Sequence, residues 1–360
     1  MNAIPDGSAP TVTIQEFSVP QYPSTGVNIA VASDGAVWWE SIKNRGQADE
    51  ADRMVRMQSM SVSVETLDSS DFIGGNTFAA TPNGRVFTWG TPAGANSSVD
   101  FYYASAGVSP AAGGFYEDHF YTQSLGVLHT GPDGNVWFVA AQHGSVPNQW
   151  TLCVKLSADS CSPDSFGYVP QNTTGTSSTV TYTATAPGTQ EVLYAIAPGP
   201  DNDMWVGGIL APGTNYGFHR YTTGGTFIGD VISTIPYPLG SMADATAGSD
   251  GNMWFTDPQQ NAIVRLAPNG ATTLFPLPTP NANPYAITRG GDGAVWFTER
   301  NSNKVGRIST SGQLTEYALP TTMNSNPGQI AGPSSPGCDA NALWVSQPGT
   351  GQIAELTIKI

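Results

Sequence analysis

Short apolar runs alternate with glycine-, asparagine- and aspartate-rich turns in this chain, and one such unit occurs in seven copies. In each copy a turn, usually of the Asp-Gly type, precedes an apolar run that contains an aromatic residue. The copies read SDGAVWW (33–39), PNGRVFTW (82–89), PDGNVWFV (132–139), PDNDMWVG (200–207), SDGNMWFT (249–256), GDGAVWFT (291–298) and DANALWVS (339–346). Asp-Gly between two apolar segments is a strong hairpin signal, so each copy predicts a β-hairpin.

The spacing of the copies indicates the fold. Their aromatic residues are 49, 50, 68, 49, 42 and 48 residues apart, and they are Trp38, Phe87, Trp137, Trp205, Trp254, Trp296 and Trp344. A repeat of about 40–50 residues is typical of β-propellers, in which each repeat forms a four-stranded blade. We therefore predict an all-β protein, a seven-bladed β-propeller of four-stranded antiparallel blades, with residues 1–360 as its single domain.

The clearest copy contains all four strands of a blade. PYAITR (284–289) and AVWFTE (294–299) flank the Asp-Gly turn, and VGRIST (305–310) and QLTEYALP (313–320) follow. The last copy ends with GQIAELTIKI (351–360), which matches a third strand, whereas TIQEFSVP (13–20) resembles a fourth strand. We expect residues 12–20 to complete the C-terminal blade (340–360) and close the ring, because closure removes exposed sheet edges.

Two segments depart from the repeat. Residues 41–60 carry a charged insertion, for which a short helix is one option. Residues 157–189 lengthen one repeat, either by a long outer loop or by an extra hairpin. Within this repeat, Cys153 and Cys161 are separated by seven residues and either form a disulfide or stay reduced.

The charge balance narrows the classes of partner. The chain has 28 acidic and 13 basic residues, a formal net charge of −15. This disfavours nucleic acids and anionic membranes, because binding a polyphosphate needs a basic face. No apolar run is long enough to span a membrane, and the N-terminus lacks the basic and apolar regions of a signal peptide. We expect an acidic monomer that is secreted or periplasmic, with its signal absent from this sequence; a cytoplasmic location stays open.

Histidines are the first candidates for chemistry. Glu117, Asp118 and His119 stand together in YEDHFY, which suits a metal or proton-transfer site but equally a polar loop between blades. His129 occupies the place of Thr288 in the clearest copy, where strand alternation turns it toward either the channel or the neighbouring blade. No serine-hydrolase elbow, zinc-protease helix or phosphate-binding loop occurs.

Carboxylates and tyrosines are the candidates for ligand binding. Asp257 and Glu299 end the second strand in WFTD and WFTE. They either line the channel mouth, or cap a hairpin end, or pair with the arginines of the third strand, Arg265 and Arg307. Tyr194 and Tyr285 share a register on inner strands, where they either anchor a ligand or fill the channel.

The runs NANPYAITRGGDGAVWFTERNSNKVGRISTSGQLTEYALP and GNMWFTDPQQNAIVRLAPNGATTLFPLPTP closely resemble the repeats of streptogramin B lyases, also called virginiamycin B lyases. The resemblance implies a seven-bladed propeller with a ligand site at one mouth of its channel. It also implies an elimination that opens cyclic depsipeptide antibiotics at an ester linkage, with a magnesium ion and a histidine general base. The family's catalytic residues lie on the inner strands of the last two blades, in motifs resembling Arg-Pro-His-Ala-Ile and Glu-Pro-His-Gly-Ile.

In this chain the two motifs read NPYAI and NPGQI. Tyr285 stands where the family has a histidine, Asn326 replaces the glutamate, and Gly328 replaces the histidine that acts as the base. A further family glutamate falls near Gln347 and Pro348. Glycine cannot take a proton, and side-chain amides are poorer metal ligands than carboxylates. We therefore predict no catalytic residue at these positions and no metal or other cofactor, with Mg²⁺ required only if the lyase hypothesis holds.

The sequence supports two functional hypotheses: the protein is either a ligand-binding protein or an enzyme. In the first, the protein binds a small molecule, a glycan or a peptide at the channel mouth, through Tyr194, Tyr285, Asp257, Glu299 and Asn326. In the second, it is an enzyme, either a divergent carbon–oxygen lyase or a propeller-type hydrolase or lactonase. That enzyme would draw on Glu117, Asp118, His119 and His129, and at least one histidine and two carboxylates would then converge within about 6 Å. The intact repeat with substituted lyase residues favours binding.

Overall fold

The computed structural model describes residues 9–18, 24–43, 51–58, 61–65, 73–74, 78–91, 99–105, 115–120, 124–125, 128–143, 150–151, 165–169, 180–183, 192–210, 215–234, 242–321, 324–332 and 341–359. In this part of the chain all regular structure is β-strand, which confirms the all-β prediction. No helix in the described ranges is long and apolar enough to cross a membrane.

The strands of the N-terminal half form an N-terminal strand and three sheets. The N-terminal strand is β1 (Thr11–Ser18). Sheet 1 contains β2 (Ser24–Val31), β3 (Val37–Lys43), β4 (Ala51–Gln58) and β5 (Ser61–Glu65). Sheet 2 contains β6 (Ile73–Gly74), β7 (Ala79–Ala80), β8 (Arg85–Thr91), β9 (Val99–Ser105) and β10 (Phe115–Phe120). Sheet 3 contains β11 (Ser124–Leu125), β12 (His129–Thr130), β13 (Val136–His143), β14 (Trp150–Thr151), β15 (Ser165–Val169) and β16 (Val180–Thr183).

The C-terminal half adds four further sheets. Sheet 4 contains β17 (Val192–Pro198), β18 (Met204–Leu210), β19 (Asn215–Tyr221) and β20 (Phe227–Ile232). Sheet 5 contains β21 (Ala245–Ala247), β22 (Met253–Asp257), β23 (Ala262–Leu266) and β24 (Thr272–Pro276). Sheet 6 contains β25 (Pro284–Arg289), β26 (Val295–Glu299), β27 (Lys304–Ile308) and β28 (Leu314–Ala318). Sheet 7 contains β29 (Ile330–Ala331), β30 (Ala342–Gln347) and β31 (Gln352–Lys359), together with β1.

Neighbouring strands pair antiparallel within each sheet, and sheets 1, 4, 5 and 6 follow chain order. In sheet 7 the order is β1-β31-β30-β29, so the two ends of the chain lie side by side. The pairing runs without a shift from Thr11 opposite Lys359 to Ser18 opposite Gln352. The N-terminal strand therefore supplies the fourth strand of the last sheet.

One strand of each sheet contacts the corresponding strand of the next sheet. These strands, called the inner strands below, are β2, β7, β12, β17, β21, β25 and β29, and each contacts the one before and the one after it. The contact between β29 and β2 joins the last sheet to the first. The space that the inner strands line is called the channel.

The repeated turn forms around a buried tryptophan. Trp296 donates its indole N–H to Oδ1 of Asp292 at 3.0 Å, and the same bond joins Trp137 to Asp133, Trp205 to Asp201 and Trp254 to Asp250. A Cβ on Gly290 would overlap the Trp296 indole, and Gly293 has a positive φ of 79°. The repeated motif is therefore explained by a tight turn packed on an indole.

Of the two expectations for segments that depart from the repeat, one needs correction. The helix suggested for residues 41–60 is wrong where the structure describes them, because Val37–Lys43 and Ala51–Gln58 are paired strands of sheet 1. Arg56 lies over the Trp38 ring at 5.9 Å and bonds to Asp34 at 2.6 Å, so its charge is accommodated within a strand. In residues 157–189, β15 and β16 pair as a hairpin that completes sheet 3. Cys153 and Cys161 lie outside the described residues.

Candidate functional site

Polar side chains bond to the backbone of the inner strands inside the channel. Asp244, directly before β21, accepts the backbone N–H of Ala245 at 2.8 Å on Oδ1 and that of Ile287 at 3.0 Å on Oδ2. Gln329, directly before β29, accepts the N–H of Ile29 at 3.2 Å and of Phe78 at 3.4 Å on Oε1. An inner strand presents one unpaired edge, so these two side chains satisfy backbone donors that would otherwise lack a partner.

His129 faces the channel rather than the neighbouring sheet. Its Nε2 lies 2.9 Å from Oδ1 of Asp244, although β12 and β21 belong to sheets separated by sheet 4. The Asp244 side chain is 8% exposed and that of His129 is 23% exposed, so the pair is largely shielded from solvent. A histidine and a carboxylate thus meet in the channel, and the carboxylate orients the imidazole.

The other predicted members of an enzyme site are not brought to this pair. Glu117, Asp118 and His119 belong to β10, so the loop interpretation is wrong. In sheet 2, β9 and β8 separate β10 from the inner strand β7, a distance of about 14 Å at usual strand spacing. Within the described residues, no group of three histidine, cysteine, aspartate or glutamate side chains could hold a metal ion.

Two cavities open along the channel, and His129 lines both. The smaller, of 240 Å³, is the channel interior between β2, β7, β12, β25 and β29. The larger, of 650 Å³, lies where the inner strands run into the repeated turns. We call this the turn end of the channel, and the opposite end, where the inner strands begin, the strand-start end.

The strand-start end holds the positions singled out by the sequence motifs. The Arg300 guanidinium lies over the Tyr285 ring at 4.5 Å, and its Nε donates to Oδ1 of Asn326 at 3.2 Å. Gly328 is buried, and its carbonyl accepts the Thr298 hydroxyl at 2.8 Å. Arg300 therefore joins the two motif positions Tyr285 and Asn326, one from sheet 6 and one from the segment before β29.

The surroundings keep Tyr285 in its neutral form. Burial raises the pKa of its hydroxyl above the ordinary value, and nearby Arg300 acts in the opposite direction with a smaller effect. The ring thus offers a hydroxyl donor and an aromatic face already covered by a cation. Tyr194 lies in β17 beside a register irregularity, but its side chain falls outside the described residues.

Asp257 and Glu299 lie at the ends of β22 and β26 and are fully buried. Asp257 accepts the backbone N–H of Gln260 at 2.9 Å, and Glu299 accepts the Ser302 hydroxyl at 2.6 Å. Both therefore bond to their own hairpin turns. The arginines proposed as partners bond elsewhere: Arg265 donates to the Thr310 carbonyl and Arg307 to Asp292.

The ionisation of Glu299 makes the stability of the protein depend on pH. Burial raises the pKa of Glu299 from 4.5 to about 7; its bond from Ser302 opposes the rise and the charge of Glu316 adds to it. A carboxyl group with a raised folded-state pKa costs stability when it ionises, so stability falls as the pH rises from about 4.5 to about 7.

We expect Glu299→Gln to remove this cost, since Gln347 already occupies the same position in sheet 7. Relative to wild type, the variant should gain about 1–3 kcal/mol of unfolding free energy at pH 8 and almost nothing at pH 4. Urea denaturation at the two pH values measures the difference. An equal gain at both would show that ionisation of Glu299 is not its source.

Two residues of this region cannot be recognised from the sequence. Arg300 directly follows the repeated WFTE segment, but its partners are 15 and 26 residues away in the chain. Asp244 precedes a short strand, in a position that holds an alanine, Ala286, in the clearest repeat. The one sequence signal for Asp244 is that Asp244 and Gln329 occupy the same position directly before their inner strands. This signal indicates a site only once the structure shows that both positions face the channel.

Comparison with known proteins agrees with this architecture. Solved structures of similar fold include a streptogramin B lyase (21% identity, covering 97% of this chain and 98% of that one, TM-score 0.65). They also include a catalytically inactive virginiamycin B lyase from Staphylococcus aureus with quinupristin (21% identity, 96% and 99% coverage, TM-score 0.66). The WD40 β-propeller domain of Doa1 matches at 10% identity, with 93% coverage of both chains and a TM-score of 0.55. No curated protein matches.

The sheets and their inner strands thus define a β-propeller protein. The model of the virginiamycin B lyase family matches residues 173–359, more than half of the chain. This protein belongs to the virginiamycin B lyase family, as the resemblance of its repeats predicts.

Proposed function

We propose that the seven sheets are the blades of one closed propeller that spans residues 1–360. Two observations support a ring: β29 contacts β2, and β1 pairs with β31 over its full length. Strand pairing between the two ends of the chain would hold the ring shut. It would also remove an exposed edge at the point where the first and last blades meet.

We further propose that the protein binds a ligand at the strand-start end and does not perform the lyase reaction. Arg300 carries this proposal, because its guanidinium connects Tyr285 and Asn326 into one polar surface with an aromatic face. Such a surface suits carbonyl groups and rings, which occur in peptides, glycans and many small molecules. Tyr194 on the inner strand β17 of sheet 4 would complement it, whereas Asp257 and Glu299, which are fully buried, would support this end by holding their own hairpin turns.

The donor set at this end does not suit a proton-transfer reaction. A general base must accept a proton within hydrogen-bond reach of its substrate, and Gly328 has no side chain to do so. Asn326 and Gln347 offer amides, and Tyr285 stays protonated because burial raises its pKa. The positions at which the family resemblance implies acid–base residues therefore hold groups that bind but do not titrate near neutral pH.

The same residues do not fit the magnesium ion that the family resemblance implies. Mg²⁺ prefers carboxylate oxygens, whereas Oδ1 of Asn326 already accepts a bond from the positively charged Arg300. A divalent cation at this oxygen would stand beside a guanidinium and be repelled. We therefore derive no step through a metal ion.

We place the binding protein outside the cytoplasm, either secreted or periplasmic, and expect it to act as a monomer. Its net charge of −15 favours solubility and disfavours nucleic-acid partners.

The lyase reaction is the sharpest test of the proposal. Incubation with quinupristin and Mg²⁺, followed by mass spectrometry beside a protein-free control, should show no linear product. A thermal-shift screen of cyclic peptides, glycans and small molecules should then find ligands that raise the Tm of wild type but not of Arg300→Ala. Linear product would overturn the proposal, as would a screen in which Arg300→Ala responds like wild type.

The second candidate is a divergent lyase or a hydrolase, and the His129–Asp244 pair favours it. An imidazole oriented by a buried carboxylate is a common general base. If this candidate is right, ring opening of quinupristin would persist in Arg300→Ala and disappear in His129→Gln.

A further inference from the structure

The lining of the larger cavity differs in charge from the chain as a whole, which is acidic. Although the chain has 28 acidic and 13 basic residues, no aspartate or glutamate is among the described residues that line this cavity. The charged or chargeable groups in its lining are Arg289 and His129. An acidic protein thus has, at one end of its channel, a concave surface whose local charge is positive or neutral.

Arg289 is available to a ligand. It is the last residue of β25, its side chain is exposed, and it lines both the 650 Å³ and the 240 Å³ cavities. In the described part of the chain its guanidinium has neither a hydrogen bond nor an ion pair. By contrast, Arg265 donates to a carbonyl and Arg307 is paired with Asp292. A guanidinium without a partner in a cavity is suited to bidentate contact with an oxyanion.

Neutral donors surround the arginine. Thr246 and Thr288 line the same cavity, and neither hydroxyl has a hydrogen-bond partner in the described residues. His129 donates its Nε2–H to the Asp244 carboxylate, so Nδ1 of the neutral imidazole is an acceptor, and only the imidazolium form offers an N–H there. Hydroxyl groups and imidazolium N–H groups are the usual companions of arginine at carboxylate and phosphate sites.

The nearby carboxylates do not compete for these donors. Asp244, which lines the smaller cavity, is engaged by His129, Ala245 and Ile287. The turn aspartates next to the cavity, Asp133, Asp201, Asp250 and Asp292, accept tryptophan indole N–H bonds. The negative charges around the turn end are therefore each bonded within the protein.

We propose that the turn end of the channel binds a small molecule with a carboxylate or phosphate group, held by Arg289 with Thr246 and Thr288, and by His129 in its imidazolium form. A cavity of 650 Å³ accommodates a molecule of metabolite size. This site is separate from the strand-start end: Tyr285 and Arg289 lie four residues apart in β25, about 13 Å along the strand. The proposal therefore does not depend on the proposed function.

Isothermal titration calorimetry at low ionic strength tests the site with citrate, benzoate and inorganic phosphate. We expect at least one of these anions to bind wild type, with Arg289→Gln weakening its affinity by about 10-fold or more. Lys359→Gln, which removes an exposed cation of β31 outside the lining of both cavities, serves as the matched control and should bind like wild type. Preference for citrate and benzoate over phosphate identifies a carboxylate ligand, and the reverse preference identifies a phosphate ligand.

Histidine NMR locates the binding event. The chain has four histidines, so ¹⁵N-histidine labelling gives a simple spectrum that His129→Gln assigns. The bound anion should move the His129 resonances and leave those of His219, which is bonded to Asp230 in sheet 4, unchanged. The proposal is overturned if none of the three anions binds at millimolar concentration, if Arg289→Gln binds like wild type, or if the His129 resonances do not move.

Discussion

Replacing Asp292 by alanine should lower the free energy of unfolding by about 3–5 kcal/mol. Asp292 Oδ2 accepts a bond from Arg307 Nε at 2.7 Å, and the two side chains are 0% and 6% exposed. Its Oδ1 also accepts the Trp296 indole N–H and the backbone N–H of Ala294. The alanine variant would leave the Arg307 charge and an indole N–H buried without a partner.

Asp250→Ala is the matched control, because Asp250 occupies the same turn position in sheet 5. It accepts the Trp254 indole N–H, but it is exposed, and the arginine across the hairpin, Arg265, donates instead to the Thr310 carbonyl. Its loss should cost about 1–2 kcal/mol. Urea denaturation of both variants measures the difference. Equal losses would mean that the Asp292–Arg307 pair contributes nothing beyond the repeated turn.

This comparison also shows what the sequence can and cannot predict about the fold. The sequence predicts a strand over PYAITR (284–289), and β25 covers Pro284–Arg289. The sequence predicts the next strand over 294–299, and β26 spans Val295–Glu299. These bounds follow from turn chemistry and alternation, which are local properties. Asp292 pairs with an arginine, whereas its counterpart Asp250 does not. Contacts between strands decide this difference, and the local sequence does not show them.

The same limit explains the mistaken helix in residues 41–60. Charged residues clustered there suggested a helix, but β4 places Arg56 over Trp38 and beside Asp34, 22 residues earlier in the chain. An aromatic ring and a carboxylate on the neighbouring hairpin make a charged residue compatible with a strand. The residues next to Arg56 in the sequence do not indicate these contacts, so a prediction made from them alone misses the strand.

The candidate sites show this dependence on the fold more strongly. Tyr285, Asn326 and Gly328 could be found because they lie in motifs that resemble those of a family. Arg300 could not, because what marks it is its position between two motifs that are distant in the chain. Arg289 likewise stands out only when the cavity lining is known, since in the sequence it is the last residue of a repeated strand.

Asp244→Ala should lower the free energy of unfolding by about 2–4 kcal/mol. The carboxylate is almost completely buried and holds together three sheets, through His129 of sheet 3, Ala245 of sheet 5 and Ile287 of sheet 6. Removing it would leave the Ile287 N–H at the channel edge without its described acceptor. Thermal and urea unfolding measure the loss.

Gln329→Ala is the matched control for Asp244→Ala, because it removes a neutral side chain that also accepts two backbone N–H bonds, from Ile29 in β2 and from Phe78 directly before β7. It should cost only about 1–2 kcal/mol, because neutral hydrogen bonds contribute less than those to a buried carboxylate. A double-mutant cycle of Asp244→Ala with His129→Gln should give a coupling energy of about 0.5–3 kcal/mol. Strict additivity would mean that the 2.9 Å contact contributes no net stability. The coupling would make the cross-channel pair a part of the fold as well as of the cavity lining, and substitutions of His129 would then alter both stability and anion binding.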